Sequence, residues 1–213
     1  PAGRPVAEVA GLAIREATAG QLRSTDAVEH LYHVDFRPSP TPQVRETPAG
    51  GTWLLGENTG LSEILEARHV ADVGALLARL DDERDAPVRL VVDATPANEL
   101  PGGEAAYRLT AETLHTLRSL VGEPRLAEAE LVWITRSAAG ADDEVRDLAH
   151  APLWGLLRVA RSEYAERVIR LIDLGTEADD VLLPEALALP GEPEIAIRGG
   201  ELRTARLVRT TPA

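Results

Sequence analysis

Short apolar runs alternate with amphipathic segments from residue 52 onward. Apolar runs of about four to eight residues bounded by turn residues are typical of buried strands, whereas apolar positions at i, i+3, i+4 and i+7 indicate helices. The pattern predicts strands at 52–56, 88–94, 131–135 and 168–174, and helices at 61–68, 75–82, 104–121, 152–166 and 181–189. The segment 69–73 is compatible with a further brief strand. Such alternation is typical of a mostly parallel sheet with helices on both faces.

Two further segments complete the predicted fold. The segment 31–36 alternates with a period of two, which predicts a strand with two distinct faces. One face carries Leu31, His33 and Asp35, and the other carries Tyr32, Val34 and Phe36. Near the other end, 195–197 and 202–208 flank Gly199 and Gly200, which predicts a hairpin with a tight turn. We therefore expect an α/β protein with a truncated Rossmann-like fold and a C-terminal hairpin.

Composition excludes several classes of function. The 213 residues fit one large domain, or a domain with an arm, and carry a net charge of −13. This charge argues against binding of nucleic acid or of an anionic membrane, because both require clustered positive charge. The sequence contains no run of about 18 apolar residues, so it predicts no membrane-spanning helix. The chain has no cysteine, which is compatible with a reducing compartment. We expect a cytoplasmic protein. We also expect it to be monomeric in isolation, since the sequence has no coiled-coil heptads.

All 22 basic residues are arginine, so the chain cannot supply a Tyr-x-x-x-Lys reductase pair or a lysine-bearing phosphate loop from its own residues. The tyrosines Tyr32, Tyr107 and Tyr164 are followed four positions later by Phe36, Ala111 and Val168. No Gly-x-Ser-x-Gly motif is present. None of the histidines has a zinc-binding spacing; they are His30, His33, His69, His115 and His150. His33 and Asp35 share a strand face and are expected to form a hydrogen-bonded pair.

The turn at 55–60 is the best candidate for a dinucleotide site. It has a glycine near each end, but it lacks the Gly-x-Gly-x-x-Gly spacing that lets a backbone approach a pyrophosphate. Glu57 would also place a negative charge where the phosphate should lie. We therefore expect an ordinary strand-to-helix turn in which Asn58 or Thr59 caps the following helix.

Asp93 and Asp173 lie near the carboxyl ends of predicted strands, where α/β enzymes place ligands. We expect both to cap turns, because no catalytic constellation accompanies them. The acidic clusters 81–83 and 142–144 are expected to be solvated loops or first-turn complements of a helix dipole rather than metal sites. The tryptophans Trp53, Trp133 and Trp154 are expected in the core. We assign no catalytic, cofactor-binding or metal-ligating residue.

Several segments, in order, resemble the structural subdomain of a modular polyketide synthase ketoreductase. They are LYHVDFRP at 31–38, TWLLG at 52–56, LVWITR at 131–136, APLWGLLRVARSE at 151–163, and the terminal hairpin at 194–209. The segment AEVAGLAIR at 7–15 resembles the last strand of a polyketide dehydratase and the linker after it. We therefore expect residues 1–30 to be an arm or linker, and residues 31–213 to be the structural subdomain.

The resemblance implies a noncatalytic role. In that family a structural half without nucleotide binding supports a catalytic half, which binds NADPH and reduces a β-keto group on an acyl carrier protein. The Thr-Gly-Gly-x-x-x-Leu-Gly loop that begins the catalytic half is absent from this sequence. The chain contains no methionine and ends about where that half would begin, so we expect a piece of a longer polypeptide. NADPH is expected only in the catalytic half of the parent, and this chain alone is not expected to be an enzyme.

The expected partners are the catalytic half and the neighbouring dehydratase or enoylreductase domains, while the carrier protein is expected to engage the catalytic half. The strands at 31–36 and 202–208 are hypothesised to pack against that half, with Tyr32 and Phe36 in contact. Two alternatives remain open: a stand-alone reductase with an unrecognised site, and an α/β module that binds a small molecule or protein at a crevice near Gly56 and Asp93.

Overall fold

The fold is given by a computed structural model, which describes residues 31–39, 51–57, 59–82, 86–96, 102–141 and 145–210. The chain divides into two compact units. The larger unit is Val34–Arg206, and the smaller combines Pro1–His33 with Leu207–Ala213. The proposed arm at 1–30 lies outside the described residues, so the boundary at residue 30 stays a prediction.

The described part of the chain contains a series of strands with intervening helices. The strands are β1 (Tyr32–Pro38), β2 (Thr52–Leu55), β3 (Arg68–Val70), β4 (Arg89–Asp93), β5 (Glu130–Arg136), β6 (Ile169–Leu174), β7 (Glu194–Arg198) and β8 (Glu201–Arg209). The helices are α1 (Leu61–Ile64), α2 (Val73–Asp82), α3 (Gly102–Val121), α4 (Ala151–Glu163) and α5 (Leu183–Ala188), with 3₁₀ turns at Pro124–Leu126 and Glu177–Leu182.

The strands form one sheet in the order β1-β8-β7-β6-β5-β4-β2-β3. The pairs from β3 through β7 are parallel, and β7 pairs antiparallel with β8. The predicted Rossmann-like fold with a mostly parallel sheet is confirmed. Because β2 lies between β3 and β4, the strand order reverses there, which creates a topological switch point at the carboxyl ends of β2 and β4.

Helices cover both faces of the sheet, as predicted. On β5, Leu131 and Trp133 belong to a core that includes residues of α2, α3 and α4. Val132 and Ile134 of the same strand belong to a second core with residues of α1 and α5. Burial on both faces explains why the central strands are continuous apolar runs rather than alternating ones.

The hairpin between β7 and β8 has the predicted tight turn. Gly199 and Gly200 have φ angles of 57° and 80°. Positive φ at both central positions is the requirement of a two-residue type I′ turn, which glycine meets without steric cost. Beyond it, the Ser39 amide donates to the Leu202 carbonyl at 2.8 Å, which attaches the end of β1 to the start of β8.

The buried face of α3 differs from the predicted one. The apolar spacing of this segment in the sequence predicts Tyr107, Leu114, Leu117 and Val121 on or near one face. In the structure, Tyr107 is 80% exposed and Leu114 is also exposed. The buried positions of this helix are Ala105, Thr113, Leu117 and Leu120. The face of α3 that is buried includes the small residues Ala105 and Thr113. Small residues contribute little to a hydrophobicity pattern, so the pattern in the sequence did not indicate this face.

Glu194 at the start of β7 attaches α4 to the sheet. Its carboxylate accepts hydrogen bonds from Arg158 at 2.7 and 2.9 Å and from Arg161 at 2.7 Å. Burial raises the pKa of the Glu194 carboxyl, but these hydrogen bonds outweigh burial and hold the pKa below its ordinary value of 4.5. The native chain therefore binds fewer protons at this site than the unfolded chain in mildly acidic solution.

Because the folded pKa is depressed, the stability that Glu194 contributes is present above about pH 4.5 and is lost as the pH falls through the folded pKa. We expect the Glu194→Gln variant to be less stable than the wild type near neutral pH and to lose less stability on acidification. Urea unfolding at several pH values measures both effects. Identical pH slopes for the two proteins would contradict this assignment.

Phe36 belongs to the core of this chain, contrary to the hypothesis that it contacts a partner. It is only 8% exposed, and its ring meets Trp154 edge to face with centroids 6.0 Å apart. Val34 on the same strand face is 48% exposed. On this face of β1, the Phe36 side chain is therefore buried in the core, whereas the Val34 side chain is exposed.

We expect Phe36→Ala to lower the free energy of unfolding by about 3 kcal/mol, because it leaves a cavity beside Trp154. Val34→Ala on the same strand is the matched control and should cost less than about 1 kcal/mol. Urea unfolding followed by tryptophan fluorescence gives both values. Equal losses in the two variants would show that the ring of Phe36 is not a packing element.

Candidate functional site

A cavity of about 400 Å³ lies at the switch point of the sheet. Its walls come from the carboxyl ends of β2 and β4, the start of α2, and α3. This is the position at which open α/β sheets bind ligands. The cavity therefore is the first place to test for a nucleotide or metabolite site.

The glycine turn after β2 is occupied by contacts within the protein. A Cβ atom on Gly56 would lie 3.0 Å from the Asp93 carbonyl oxygen, and the φ angle of Gly56 is 132°. The Gly56 amide donates to the Val70 carbonyl at 3.1 Å. The Gly56 carbonyl oxygen lies 2.8 Å from His69 Nε2. Glycine is required here for close passage beside β4, and its backbone groups do not point toward a ligand.

Asp93 caps turns, as expected. Its carboxylate accepts from the Thr95 amide at 2.9 Å, from the Thr95 hydroxyl at 2.7 Å, and from the Thr59 hydroxyl at 2.5 Å. The prediction that Thr59 caps the following helix is wrong. The N-cap of α1 is Gly60, with φ of 90°, because the Thr59 hydroxyl is engaged by Asp93 instead. Asn58 lies outside the described residues.

The charge lining the cavity is predominantly negative. Among the described residues that line it, four carry carboxylates and one, Arg108, is an arginine. The Arg108 guanidinium also lies 3.7 Å from the Glu112 carboxylate, one of the four. Carboxylates at short range raise the free energy of a bound pyrophosphate, which carries like charge. The carboxylates therefore disfavour a pyrophosphate in this cavity.

An aspartate–histidine pair at the cavity was missed in the sequence. His150 lines the cavity and is 2% exposed, and its Nδ1 lies 2.5 Å from the Asp147 carboxylate. Asp147 also accepts from the amides of Ala149 and His150 at 2.9 and 3.1 Å. A carboxylate at Nδ1 orients the imidazole and fixes its tautomer. The signal was local: an aspartate three residues before a histidine, at the start of the proline-containing helix α4.

Trp133 also lines this cavity. It is 1% exposed, and its indole Nε1 has no hydrogen-bond partner in the part of the chain that the structure describes. All three tryptophans are buried, as predicted. Together, His150 and Trp133 could hydrogen-bond a neutral molecule, whereas the surrounding carboxylates disfavour an anion.

Asp173 has a structural role larger than the predicted turn cap. It is fully buried and accepts from the Thr135 hydroxyl at 2.5 Å and from the amides of Ala138 and Ala139 at 2.9 and 3.2 Å. It also forms a salt bridge with Arg198 of β7. Every contact is to a neighbouring strand or loop, so the group stabilises the sheet.

The remaining candidates are not gathered into a site. The expected His33–Asp35 pair is wrong: Asp35 pairs with Arg37 at 3.1 Å, and His33 Nδ1 lies 3.2 Å from the Thr210 hydroxyl. The arginine shares the strand face and provides a stronger partner for the carboxylate. His115 is exposed on α3, and His30 lies outside the described residues.

The structure describes only the start of one of the two acidic clusters. Asp81 lies in the last turn of α2 and pairs with Arg125 at 2.5 Å, so it is neither a solvated loop nor a first-turn residue. The other cluster, 142–144, lies outside the described residues. No group of three or more histidine, aspartate or glutamate side chains is placed to hold a metal in the described part of the chain. None of the described helices combines the length and apolar character needed to cross a bilayer.

Comparison with known proteins shows the class. The family described as "Polyketide synthase extender module SpnB, Rossmann fold domain" matches residues 34–207. The spectinabilin polyketide synthase system protein NorB of Streptomyces orinoci is 36% identical over 219 residues, which cover 99% of this chain and 10% of that protein. Polyketide synthase GfsE of Streptomyces halstedii is 35% identical and is matched by the whole chain over 6% of its length.

Solved structures agree with this result. A C2-type ketoreductase from a modular polyketide synthase is 25% identical with a TM-score of 0.66, covering 85% of this chain and 44% of that one. PlmKR1, the ketoreductase from the first module of phoslactomycin biosynthesis in Streptomyces sp. HK803, is 27% identical with a TM-score of 0.59, covering 84% and 38%. The protein is a ketoreductase-related Rossmann domain. It belongs to the Rossmann-fold domain family of polyketide synthase extender modules, and it spans only a tenth or less of the two synthases named.

We expect Asp173→Asn to lower the free energy of unfolding by about 3 to 5 kcal/mol, because it removes the buried negative charge that pairs with the Arg198 guanidinium. Asp35→Asn removes an exposed pair and should cost less than about 1 kcal/mol. Denaturant unfolding of both variants tests this difference. A small loss in Asp173→Asn would show that its hydrogen bonds, rather than its charge, stabilise the sheet.

Proposed function

We propose that this chain is the noncatalytic half of a polyketide synthase ketoreductase. In this proposal it supports a second half, which binds NADPH and reduces β-ketoacyl groups on an acyl carrier protein. The observation that carries the proposal is coverage: about 85% of the chain aligns with solved ketoreductases, but only 44% and 38% of those proteins is accounted for. More than half of a ketoreductase therefore corresponds to nothing in this chain.

The switch point supports the same assignment. The Gly56 backbone is engaged by β3 and β4, and the cavity beside it is lined mainly by carboxylates. The chain also contains no lysine for a Tyr-x-x-x-Lys pair. A cofactor phosphate would meet repulsion here instead of free amide groups and a helix N-terminus.

The smaller unit offers a docking surface for the other half. Tyr32 is 49% exposed and Leu207 is 71% exposed, and the Arg209 guanidinium lies 5.9 Å from the Tyr32 ring. Leu207 and Arg209 are two residues apart on β8, so they share a face. We call Tyr32, Leu207 and Arg209 the edge patch. Exposed apolar groups at an edge are typical of contact surfaces, and the edge patch is the proposed contact with the catalytic half. Neighbouring dehydratase or enoylreductase domains remain further predicted partners.

The first test is calorimetric titration of NADPH into this chain alone and into a protein extended through the downstream segment of the parent. The proposal expects binding only by the extended protein. Saturable binding by this chain alone would overturn it and would make the chain a reductase with an unrecognised site.

The second test concerns the edge patch. In the joined halves, we expect Leu207→Ser to lower kcat/KM for NADPH-dependent reduction of a β-keto thioester by about fivefold or more, as for an interface residue whose loss costs over about 1 kcal/mol. Val181→Ser, at a residue 64% exposed on the 3₁₀ turn Glu177–Leu182, is the matched control and should retain wild-type activity. Equal activity in the two variants would remove the edge patch from the interface.

One observation favours a second candidate function, binding of a neutral small molecule at the switch-point cavity. The Trp133 indole N–H is buried without a partner in the described residues, and it lines the cavity together with His150. A metabolite that raises Tm should then lose this effect in Trp133→Phe, which keeps an aromatic ring at this position but removes the donor. If no neutral carbonyl compound raises Tm, small-molecule binding at this cavity is excluded and the scaffold role is the remaining function.

A further inference from the structure

A second cavity, of about 610 Å³, lies at the opposite edge of the sheet. It is formed by residues at the amino ends of β4, β5 and β6 and by the loop 187–193. The arginines that line it are Arg89, Arg161, Arg167 and Arg170, and the carboxylates are Glu130 and Glu192. In a chain with a net charge of −13, this is a local excess of positive charge.

Two of these arginines hold the cavity walls in place. Arg170 donates to the Glu130 carboxylate at 2.7 Å, to the Glu192 carbonyl, and to three carbonyls of 186–189. Arg89 donates to the same Glu130 carboxylate at 2.5 Å and to the Leu187 carbonyl at 3.1 Å. Their donors connect the strands to the loop, so this part of the cavity is preorganised.

Arg167 differs from its neighbours. It is 8% exposed, and its Nε and Nη2 atoms have no acceptor among the described residues. The Nη1 atom of Arg161 is also buried without a partner there, although Arg161 Nη2 reaches Glu194. Burial lowers the pKa of Arg167, and the charges of Glu166 and Glu128 only partly oppose this effect.

The missing acceptors of the Arg167 guanidinium require an explanation, because burying a charged donor without a partner costs several kcal/mol. A carboxylate would meet the requirement, since the planar guanidinium fork matches its two oxygens. A phosphate dianion fits less well, because Glu130 already pairs with Arg170 and Glu194 with Arg161. Glu192 adds a further carboxylate to the cavity lining. The favoured head group is therefore a monoanion.

The rest of the cavity wall is apolar. Val168, Leu189 and Pro190 line it, and Val168 is 56% exposed. The volume is in the range of sites for small organic molecules, which is far more than acetate fills. We propose that this cavity binds an aliphatic carboxylate, with the carboxylate paired to Arg167 and the chain lying against Val168, Leu189 and Pro190.

In this proposal, the Arg167 side chain must rotate when the carboxylate binds, because its Nε and Nη2 atoms are shielded from solvent. A turn of the guanidinium toward the cavity would place its fork at the carboxylate. This cavity shares no lining residue with the switch-point cavity, and no residue of the edge patch lines it. The inference is therefore independent of the proposed ketoreductase role.

The test is calorimetric titration of hexanoate into this chain, with acetate, inorganic phosphate and hexanol as comparison ligands at constant ionic strength. We expect hexanoate to bind at least about tenfold more tightly than each of the others, because only hexanoate combines the charge with a chain to bury. No saturable heat with hexanoate, or tighter binding of phosphate, would overturn the proposal.

Variants locate the site. Arg167→Met keeps an unbranched apolar stem and removes the guanidinium with its charge, so we expect at least about tenfold weaker hexanoate binding. Arg118→Gln, an exposed arginine on α3, removes the same charge elsewhere and should bind as the wild type does. Unchanged binding in Arg167→Met, or an equal loss in both variants, contradicts the assignment.

A surface variant gives a test that does not depend on the stability of Arg167→Met. Val168→Glu places a carboxylate at an exposed wall of the cavity, where it should repel the ligand without disturbing the core. We expect hexanoate binding to weaken by about tenfold, with Tm unchanged within about 2 °C. Undiminished binding in this variant would exclude the cavity as the site.

Discussion

The buried ion pair between Asp173 and Arg198 is the constraint that organises the carboxyl edge of the sheet. Two charges in the protein interior are tolerated only when they are paired and when their remaining hydrogen-bonding groups are satisfied. Here the carboxylate also accepts from Thr135 and from two loop amides, and the guanidinium donates to the carbonyls of Ala139, Asp173 and Ile197. The ends of β5, β6 and β7 are thereby fixed to one another.

The same edge is tied together at other points by similar polar contacts. Asp179 accepts from the Gly200 amide at 2.8 Å and from the Thr176 amide at 2.9 Å, which attaches the hairpin turn to the segment after β6. Asp93 holds the turns after β2 and β4. In a nucleotide-binding sheet, polar groups at the carboxyl ends of the strands face the ligand. Here the carboxylates of Asp93, Asp173 and Asp179 form contacts within the protein instead. At the amino edge, Arg167 and Arg161 have buried donors without partners among the described residues.

Charge is therefore distributed unevenly in a strongly acidic chain. Carboxylates predominate around the switch-point cavity, and arginines predominate around the cavity at the amino edge. This distribution agrees with membership of a ketoreductase-related family without requiring that this chain binds the cofactor. Because of this difference in charge, we propose a neutral ligand for the first cavity and a monoanion for the second.

Much of the architecture was predictable from the sequence, because strand and helix periodicity are local and the core of a parallel sheet is continuously apolar. The glycine hairpin and the buried tryptophans follow from equally local signals. The partners of polar side chains did not follow, as Thr59, Asp35 and Asp173 show. Each had several acceptable partners within reach of the folded chain, and only the packed sheet decided which was closest. Arg167 is the clearest case: its sequence context shows an ordinary charged residue, whereas its burial without an acceptor exists only once β6 and the loop 187–193 have come together.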